Sequence, residues 1–430
     1  MIWGEHKGDC MKRALAGIGT IILVLWMGSV AFAAGVAEDP QVSRGPGGMS
    51  RNLEPVVGEQ AVDRVVEGNN AFAFDLLDLL AAEEDGNLVY SPYSIRVAMA
   101  MLYTGAEGET AREIESALRF ALPEAELHPA FNALDLDITD SLGLDLSIAN
   151  ALWLQEDVSF VDTFLRTLAR SYGAEAELVD FLQAEEARQQ VNEWVAEATE
   201  ERIENLLPRG SVSPMTRMIL TNAVYFSAKW EFPFRAGDTY DATFYLADGT
   251  EITVPTMNRR LRVHYVEEDG LQAVALPYAG DEFSMTVVMP AQGNSPESIS
   301  AAEYRDLRER LYETQATSID LALPKFDFAT AANLIPLLRD LGVERVFRSE
   351  DADLSGITTE LEGLFVSGVF HQANITVDEE GTTASAATGV VASVESAVPY
   401  VPFNRPFLFA IEHVPTGTML FTGRLAEPRG

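Results

Sequence analysis

GTTASAATGVVASVES occupies residues 381–396, close to the C-terminus, and FNRPFLFAIEHVPTGTMLFTGRL follows from Phe403. The first segment is made of small or β-branched residues apart from one glutamate, and it contains no proline. Alternate residues of a strand face opposite sides of a sheet. One side would carry Thr382, Ala384, Ala386, Thr388, Val390 and Ala392. Taken alone, this composition fits an ordinary surface loop or strand, and it also fits a segment that can slide between two existing strands.

Five motifs occur in order along the chain. They are NLVYSPYSIRVAMAMLYTGAEGETAREI (87–114), TNAVYFSAKWEFPF (221–234), LPKFDF (323–328), HQANITVDEEGTTASAATG (371–389) and FNRPFLFAIEH (403–413). Together they resemble the serpin family: its helix B region, its third strand and breach, its sixth strand, its fifth strand with the loop hinge, and the strands after the loop. Five ordered matches spanning about residues 61–427 are more specific than one short pattern. The chain is therefore identified as a serpin by resemblance.

The composition is that of a folded, strongly acidic protein. The 430 residues are 47% hydrophobic and carry a formal net charge of −36. Such a surface repels nucleic acid and anionic membranes, so neither is expected as a partner. No lysine or arginine occurs from Phe120 to Leu165. In the serpin comparison this region includes helix D, which carries a basic heparin-binding face in some relatives, so no heparin binding is expected.

Residues 1–33 are typical of an export leader. Lys12 and Arg13 precede an apolar run from Ala14 to Val30, and Ala-Phe-Ala follows at 31–33. This order predicts a cleaved signal peptide, with translation starting at Met11 and a secreted or periplasmic mature protein beginning near residue 34. An uncleaved membrane anchor is the alternative, although the apolar run is at the short end for spanning a bilayer.

The rest of the chain is predicted to form one domain. Residues 34–60 are rich in glycine, proline and polar residues, which indicates a flexible tether. Residues 61–430 would form the serpin domain, with the reactive loop at about 380–402. The only cysteine, Cys10, lies in the leader, so the mature protein would contain no disulfide.

Helical periodicity dominates the first part of this domain and strand-like patterns dominate the second. The spacing predicts helices from Ala61, from Ser91-Pro92 and over Ala331 to Leu341, and strands at 144–154 and 218–228. The absence of a βαβ rhythm predicts an α+β fold with mostly antiparallel sheets. The resemblance implies three sheets, eight or nine helices and an exposed reactive loop.

The sequence offers no signature of an enzyme. It lacks G-x-S-x-G, H-E-x-x-H, P-loop and G-x-G-x-x-G motifs, and no two histidines are spaced as a metal pair. Members of a catalytic triad are distant along a chain, so a triad would leave no local motif. We expect neither catalytic activity nor a cofactor or metal.

Several polar residues stand among apolar neighbours. Capping for the serines and internal hydrogen bonding for the others would explain them structurally. The resemblance implies a second role, in the shutter and breach where the two central strands of the main sheet part. The residues concerned are Ser91, Ser94, Asn222, Trp230, Lys325 and His371, with Lys325 paired to Glu379.

The resemblance implies that the loop traps a protease. Counting from the hinge glutamate Glu379 at the family spacing places the scissile bond at Glu395-Ser396. The protease forms an acyl-enzyme at Glu395, the loop inserts into the main sheet, and the protease is distorted before deacylation. The hinge comprises Glu379, Glu380 and Gly381 followed by Thr382, Thr383, Ala384, Ser385, Ala386 and Ala387. Insertion requires small, uncharged residues at the inserting positions, and the six residues from 382 to 387 meet this requirement.

The target is less sharply defined than the mechanism. Glutamate at the scissile position favours a serine protease with a basic pocket and disfavours trypsin-like enzymes. A shift by one residue would make Val394 the scissile residue and imply an elastase- or subtilisin-like target. A papain-like cysteine protease stays open as a target, as does a non-inhibitory serpin acting as a binding or structural protein. We expect a monomer.

Overall fold

The computed structural model describes residues 50–139, 145–156, 158–360, 363–382 and 398–428. Within these residues the chain forms eight α-helices. They are α1 (Ala61–Glu83), α2 (Pro92–Tyr103), α3 (Gly108–Ala117), α4 (Glu124–Thr139), α5 (Asp162–Thr167), α6 (Ala184–Ala198), α7 (Ala301–Glu313) and α8 (Ile335–Asp340). A π-helical turn, Leu168–Tyr172, extends α5. No helix in the described ranges is long and apolar enough to cross a membrane.

Fifteen strands are described. They are β1 (Leu88–Tyr90), β2 (Asp145–Gln155), β3 (Ala176–Val179), β4 (Met218–Lys229), β5 (Thr239–Tyr245), β6 (Glu251–Glu268), β7 (Leu271–Pro277), β8 (Phe283–Met289), β9 (Thr317–Pro324), β10 (Phe326–Asn333), β11 (Gly368–Val377), β12 (Gly381–Thr382), β13 (Tyr400–Pro402), β14 (Phe407–His413) and β15 (Thr418–Leu425). Most strand pairs are antiparallel. The predicted α+β architecture is confirmed.

The strands form three sheets, two of which share a strand. The main sheet has the order β10-β11-β4-β2-β3, with β12 added beside β4. The second sheet runs β1-β15-β14-β8-β7-β6, and the third contains β5, β6, β9 and β13. β6 joins them because its residues 251–263 pair with β5 and β9, whereas its last five residues pair with β7.

The main sheet separates two apolar clusters. Val224, Phe226 and Ala228 of β4 point into the large core, which also contains α1, α2 and the second sheet. Ile219 and Ala223 of the same strand point into a smaller cluster beneath α6. This alternation follows from the two-residue repeat of a strand, and it requires both faces of β4 to be buried.

One predicted helix is wrong in extent. The alanines at 331 and 332, and Asn333, were predicted to begin a helix that continues to Leu341. They instead belong to β10 and pair with Gln372, His371 and Phe370 of β11, and the helix α8 begins only at Ile335. Alanine is compatible with either state, and the full-length pairing of β10 with β11 outweighs its helical propensity.

The described end of the predicted tether contacts the domain. Arg51 forms an ion pair with Asp135 of α4 at 2.7 Å. The Asn52 N–H donates to the carbonyl of Arg170 in the π-helical turn at 3.0 Å. Residues 51 and 52 therefore link the segment to two helical elements.

Candidate functional site

The two central strands of the main sheet are parallel and only partly paired. β11 pairs with β4 from Gly368 opposite Ile219 up to Asn374 opposite Tyr225. Above this point the partner of β4 changes, because Gly381 and Thr382 lie antiparallel to Lys229 and Ala228. Gly381 and Thr382, at the start of the predicted reactive loop, therefore lie beside β4 where β11 no longer pairs with it.

A tight reversal after β11 brings the hinge into the gap where β4 and β11 no longer pair. The Asp378 N–H donates to the Gly381 carbonyl at 3.0 Å. The Asp378 carboxylate accepts from the N–H groups of Glu380 and Gly381 at 2.9 and 3.3 Å. Asp at the first position and Gly at the fourth are typical of such a turn. Asp378 was not predicted to belong to the site, although its spacing from Gly381 is visible in the sequence.

The segment following β4 holds the reversal from the side. The backbone N–H of Trp230 donates to the Glu380 carbonyl at 2.9 Å. The indole Nε1–H of Trp230 donates to the Asp378 carbonyl at 3.0 Å. The indole stacks on Tyr278, with centroids 4.6 Å apart. The Tyr278 hydroxyl lies 3.0 Å from the Thr382 hydroxyl. Trp230 thus lies at the top of the gap, where the resemblance placed it, and Tyr278 had no signal in the local sequence.

Gly381 and Thr382 of the predicted hinge pack closely against β4. Thr382 is 1% exposed, and its hydroxyl is satisfied by Tyr278. A Cβ atom at Gly381 would overlap the Ala228 carbonyl oxygen and lie 2.6 Å from the Lys229 Cα. Only glycine allows the backbone to come this close to β4.

The predicted ion pair lies beside the hinge. Lys325 Nζ is 2.6 Å from Glu379 Oε2, and the Thr239 hydroxyl donates to the other carboxylate oxygen at 2.8 Å. Burial raises the pKa of Glu379, but the hydrogen bonds from Lys325 and Thr239 outweigh burial and lower the pKa below its usual value. The pair connects the reversal to the junction between β9 and β10.

The predicted shutter residues meet below this gap, where β4 and β11 are paired with each other. Asn150, Asn222 and His371 lie side by side on β2, β4 and β11. The Asn222 side-chain amide donates to Ser94 Oγ and to Asn150 Oδ1. Ser91 caps α2 by accepting from the Ser94 N–H at 3.1 Å. Asn150 was missed, although it is a polar residue in an apolar strand, the same signal that identified Asn222.

His371 closes this network as a neutral ring. Its Nε2 accepts from the Ser91 N–H at 3.3 Å, so the ring proton is on Nδ1, which donates to Asn222 Oδ1. Burial lowers the pKa of His371 to about 3, although its hydrogen bond with Asn222 opposes the shift. The His371–Asn222 bond spans β4 and β11, so the two strands cannot separate here without breaking it.

Both ends of the predicted loop are anchored in strands. Its start is β12, and its end is β13, which pairs with β9 from Tyr400 opposite Asp320 to Pro402 opposite Ala322. The remaining predicted hinge residues, Thr383–Ala387, lie outside the described residues. The scissile candidates Val394, Glu395 and Ser396 also lie outside them.

Comparisons with known proteins agree with this architecture. The family described as serpin (serine protease inhibitor) matches residues 67–428. A serpin-like protein of Thermococcus kodakarensis is 37% identical over 376 residues, covering 85% of this chain and 86% of the relative. The leukocyte elastase inhibitor of Bos taurus is 36% identical over 381 residues, covering 85% of this chain and all of the relative. The chain belongs to the serpin family.

A solved structure shows the same fold. The thermophilic serpin tengpin in its native state superposes with a TM-score of 0.79 at 26% identity, covering 88% of this chain and 97% of tengpin. The family description and the name of the bovine relative are those of protease inhibitors rather than enzymes.

Proposed function

We propose that this protein inhibits a serine endopeptidase as a suicide substrate. The observation that carries the proposal is the pairing of Gly381 and Thr382 with β4, since an inserting loop must enter the sheet at this point. The leader at residues 1–33 supports action after export, outside the cytoplasm.

In the first step the protease serine attacks the Glu395 carbonyl carbon. The ester bond forms, the Glu395–Ser396 peptide bond breaks, and the amine of Ser396 leaves with a proton from the protease's general acid. The cut frees the loop from β13, which stays paired with β9. The acylated end can then follow the hinge into the gap.

Continuing the β12 register supports insertion of the whole loop. Thr382 lies opposite Ala228, so each further residue pairs one position lower on β4, and Thr388 would reach Asn222. The residues facing the large core would then be the small set at 382, 384, 386, 388, 390 and 392. None is bulky or charged, so no charge would have to be buried in the central strand.

Insertion must also separate β4 from β11. Neighbouring strands lie about 4.8 Å apart, so an added strand leaves β4 and β11 about 9.6 Å apart. The direct His371–Asn222 bond cannot span this distance. The hydroxyl of Thr388 would arrive at this level and could replace part of the broken network.

The experiment mixes purified protein beginning at residue 34 with a glutamyl endopeptidase, an elastase, a subtilisin and trypsin. A complex that survives denaturing gels, with a released peptide starting at Ser396, supports both the mechanism and the bond. A peptide starting at Glu395 moves the scissile residue to Val394. Complete cleavage without a complex by every protease would contradict the proposal and favour a non-inhibitory serpin.

A matched variant tests the specificity. Glu395→Arg should redirect complex formation from the glutamyl endopeptidase to trypsin, whose acidic pocket rejects glutamate. Unchanged preference would place the scissile bond elsewhere in the loop.

A further inference from the structure

An exposed strip crosses the third sheet beside the C-terminal end of the loop. Tyr400 of β13 is 60% exposed and Tyr240 of β5 is 56% exposed. Between them, Arg260 of β6 donates twice to the Asp320 carboxylate of β9, at 2.8 and 2.7 Å. Tyr240 donates to Asn258 of β6 at 3.0 Å. We name Tyr240, Asn258, Arg260, Asp320 and Tyr400 the tyrosine strip.

The strip is continuous. Tyr400 lies opposite Asp320 in the β13–β9 pair, and Asp320 lies opposite Arg260 in the β9–β6 pair. Burial and the neighbouring Tyr240 both raise the pKa of Tyr400. The Arg260–Asp320 ion pair has no net charge and the strip contains no other acidic or basic residue, although the chain carries a net charge of −36.

Its side chains are those that protein interfaces favour. Tyrosine and arginine are enriched in the buried centres of interfaces, where single side chains carry much of the binding energy. The strip is also fixed in place, because the Asp320 N–H donates to the Pro399 carbonyl at 2.8 Å. This bond anchors the chain immediately before Tyr400.

The short segment between the scissile bond and Tyr400 indicates which partner reaches the strip. Tyr400 is four residues after Ser396, a reach of at most about 14 Å for an extended chain. A protease domain of about 220 residues has a radius of gyration of roughly 17 Å and is therefore far wider than this reach. A protease holding the Glu395–Ser396 bond is therefore near enough to contact Tyr400.

We propose that the tyrosine strip is a second contact surface for the protease that accepts Glu395, and this inference rests on the proposed function for its partner. The strip adds contacts on the leaving-group side of the scissile bond. After cleavage Tyr400 stays with β13 while the acylated protease leaves with Glu395. The strip therefore strengthens the initial reversible complex and discriminates among proteases with similar pockets, without stabilising the final complex.

The test uses Tyr240→Ala and Tyr400→Ala with a glutamyl endopeptidase in two forms. One form is active, and the other has its catalytic serine replaced by alanine and reports reversible binding. We expect each substitution to weaken binding of the inactive form, and to slow formation of the covalent complex, by about tenfold. The moles of inhibitor consumed per mole of protease should not change. Tyr245→Ala is the control, because Tyr245 is 40% exposed on the same strand but outside the strip.

Each possible result either supports or overturns the tyrosine strip as a contact surface. Binding and rate within twofold of the unaltered chain overturn the inference while leaving the trapping mechanism intact. Weakened binding of the inactive protease without any covalent complex supports the strip and contradicts trapping. Failure of the inactive protease to bind the unaltered chain overturns the strip as a contact surface for this class of protease.

Discussion

Gly381 is the residue on which entry of the hinge depends, because its backbone packs directly against Ala228 and Lys229. Gly381→Ala should lower the free energy of unfolding of the native protein by about 1–3 kcal/mol, the usual cost of forcing atoms into a packed site. It should also raise the amount of inhibitor consumed per protease, since the clash persists in the inserted state. Thermal unfolding and titration against protease measure the two effects.

The control for this substitution is Gly237→Ala. A Cβ atom at Gly237 meets no other atom within 4 Å, so neither quantity should change. A Gly381→Ala protein that unfolds and inhibits like the unaltered chain would mean that the hinge does not occupy the gap in solution.

His371 should make stability depend on pH. Its pKa falls from 6.5 to about 3 on folding, so below pH 6.5 the unfolded chain binds a proton that the native chain refuses. This contribution is fully present above pH 6.5 and is lost as the pH falls towards 3, at up to about 1.4 kcal/mol per pH unit. Between pH 7 and pH 5, the unaltered chain should lose about 2 kcal/mol more than His371→Gln.

Urea unfolding at the two pH values measures this difference. His264→Gln, which changes a half-exposed histidine outside the shutter, should keep the full pH dependence. Equal losses in the unaltered chain and in His371→Gln would show that burial does not keep the histidine neutral in the native protein.

At the scale of elements, the pair β4 and β12 defines the direction of insertion. Thr382→Arg would place a charge at a position that is 1% exposed, where an unpaired charge costs several kcal/mol. The loop should then be cut with full protease turnover and no stable complex. Thr253→Arg, at an exposed position of β6, should trap as the unaltered chain does. A stable complex at unchanged stoichiometry with Thr382→Arg would contradict entry at this point.

The family resemblance, and no sequence pattern, indicated that β11 is a strand. Sequence patterns predicted β2, β4 and the start of α2 well, because the two strands are apolar runs and α2 begins with a capping serine followed by proline. The patterns failed at Ala331–Asn333, because alanine is compatible with both helix and strand. Only the pairing with β11 makes this segment a strand. The patterns predicted no helix for α4, which contains Pro129. The shutter could be found through isolated polar residues. Tyr278 could not, because its contact with Thr382 joins positions 104 residues apart.

For the whole molecule, the proposed insertion would add a full strand to the main sheet between β4 and β11. Parallel pairing of β4 with β11 would be replaced by two antiparallel pairings, which are somewhat more stable per residue. The cleaved, inserted form should therefore unfold at a temperature at least about 10 °C higher than the native form. Calorimetry before and after limited cleavage tests this expectation. The cleaved Thr382→Arg protein should show no such rise, and equal melting temperatures for native and cleaved unaltered protein would exclude insertion.

The two residues of β12 also bear on kinetics. Starting a new strand is slow, because chain entropy is lost before any hydrogen bonds form. Here two residues are already paired with β4 before the protease binds. Insertion would therefore extend an existing strand. In the proposed mechanism, trapping requires this extension to finish before the acyl ester is hydrolysed, and a strand that is already started shortens the time that the extension needs.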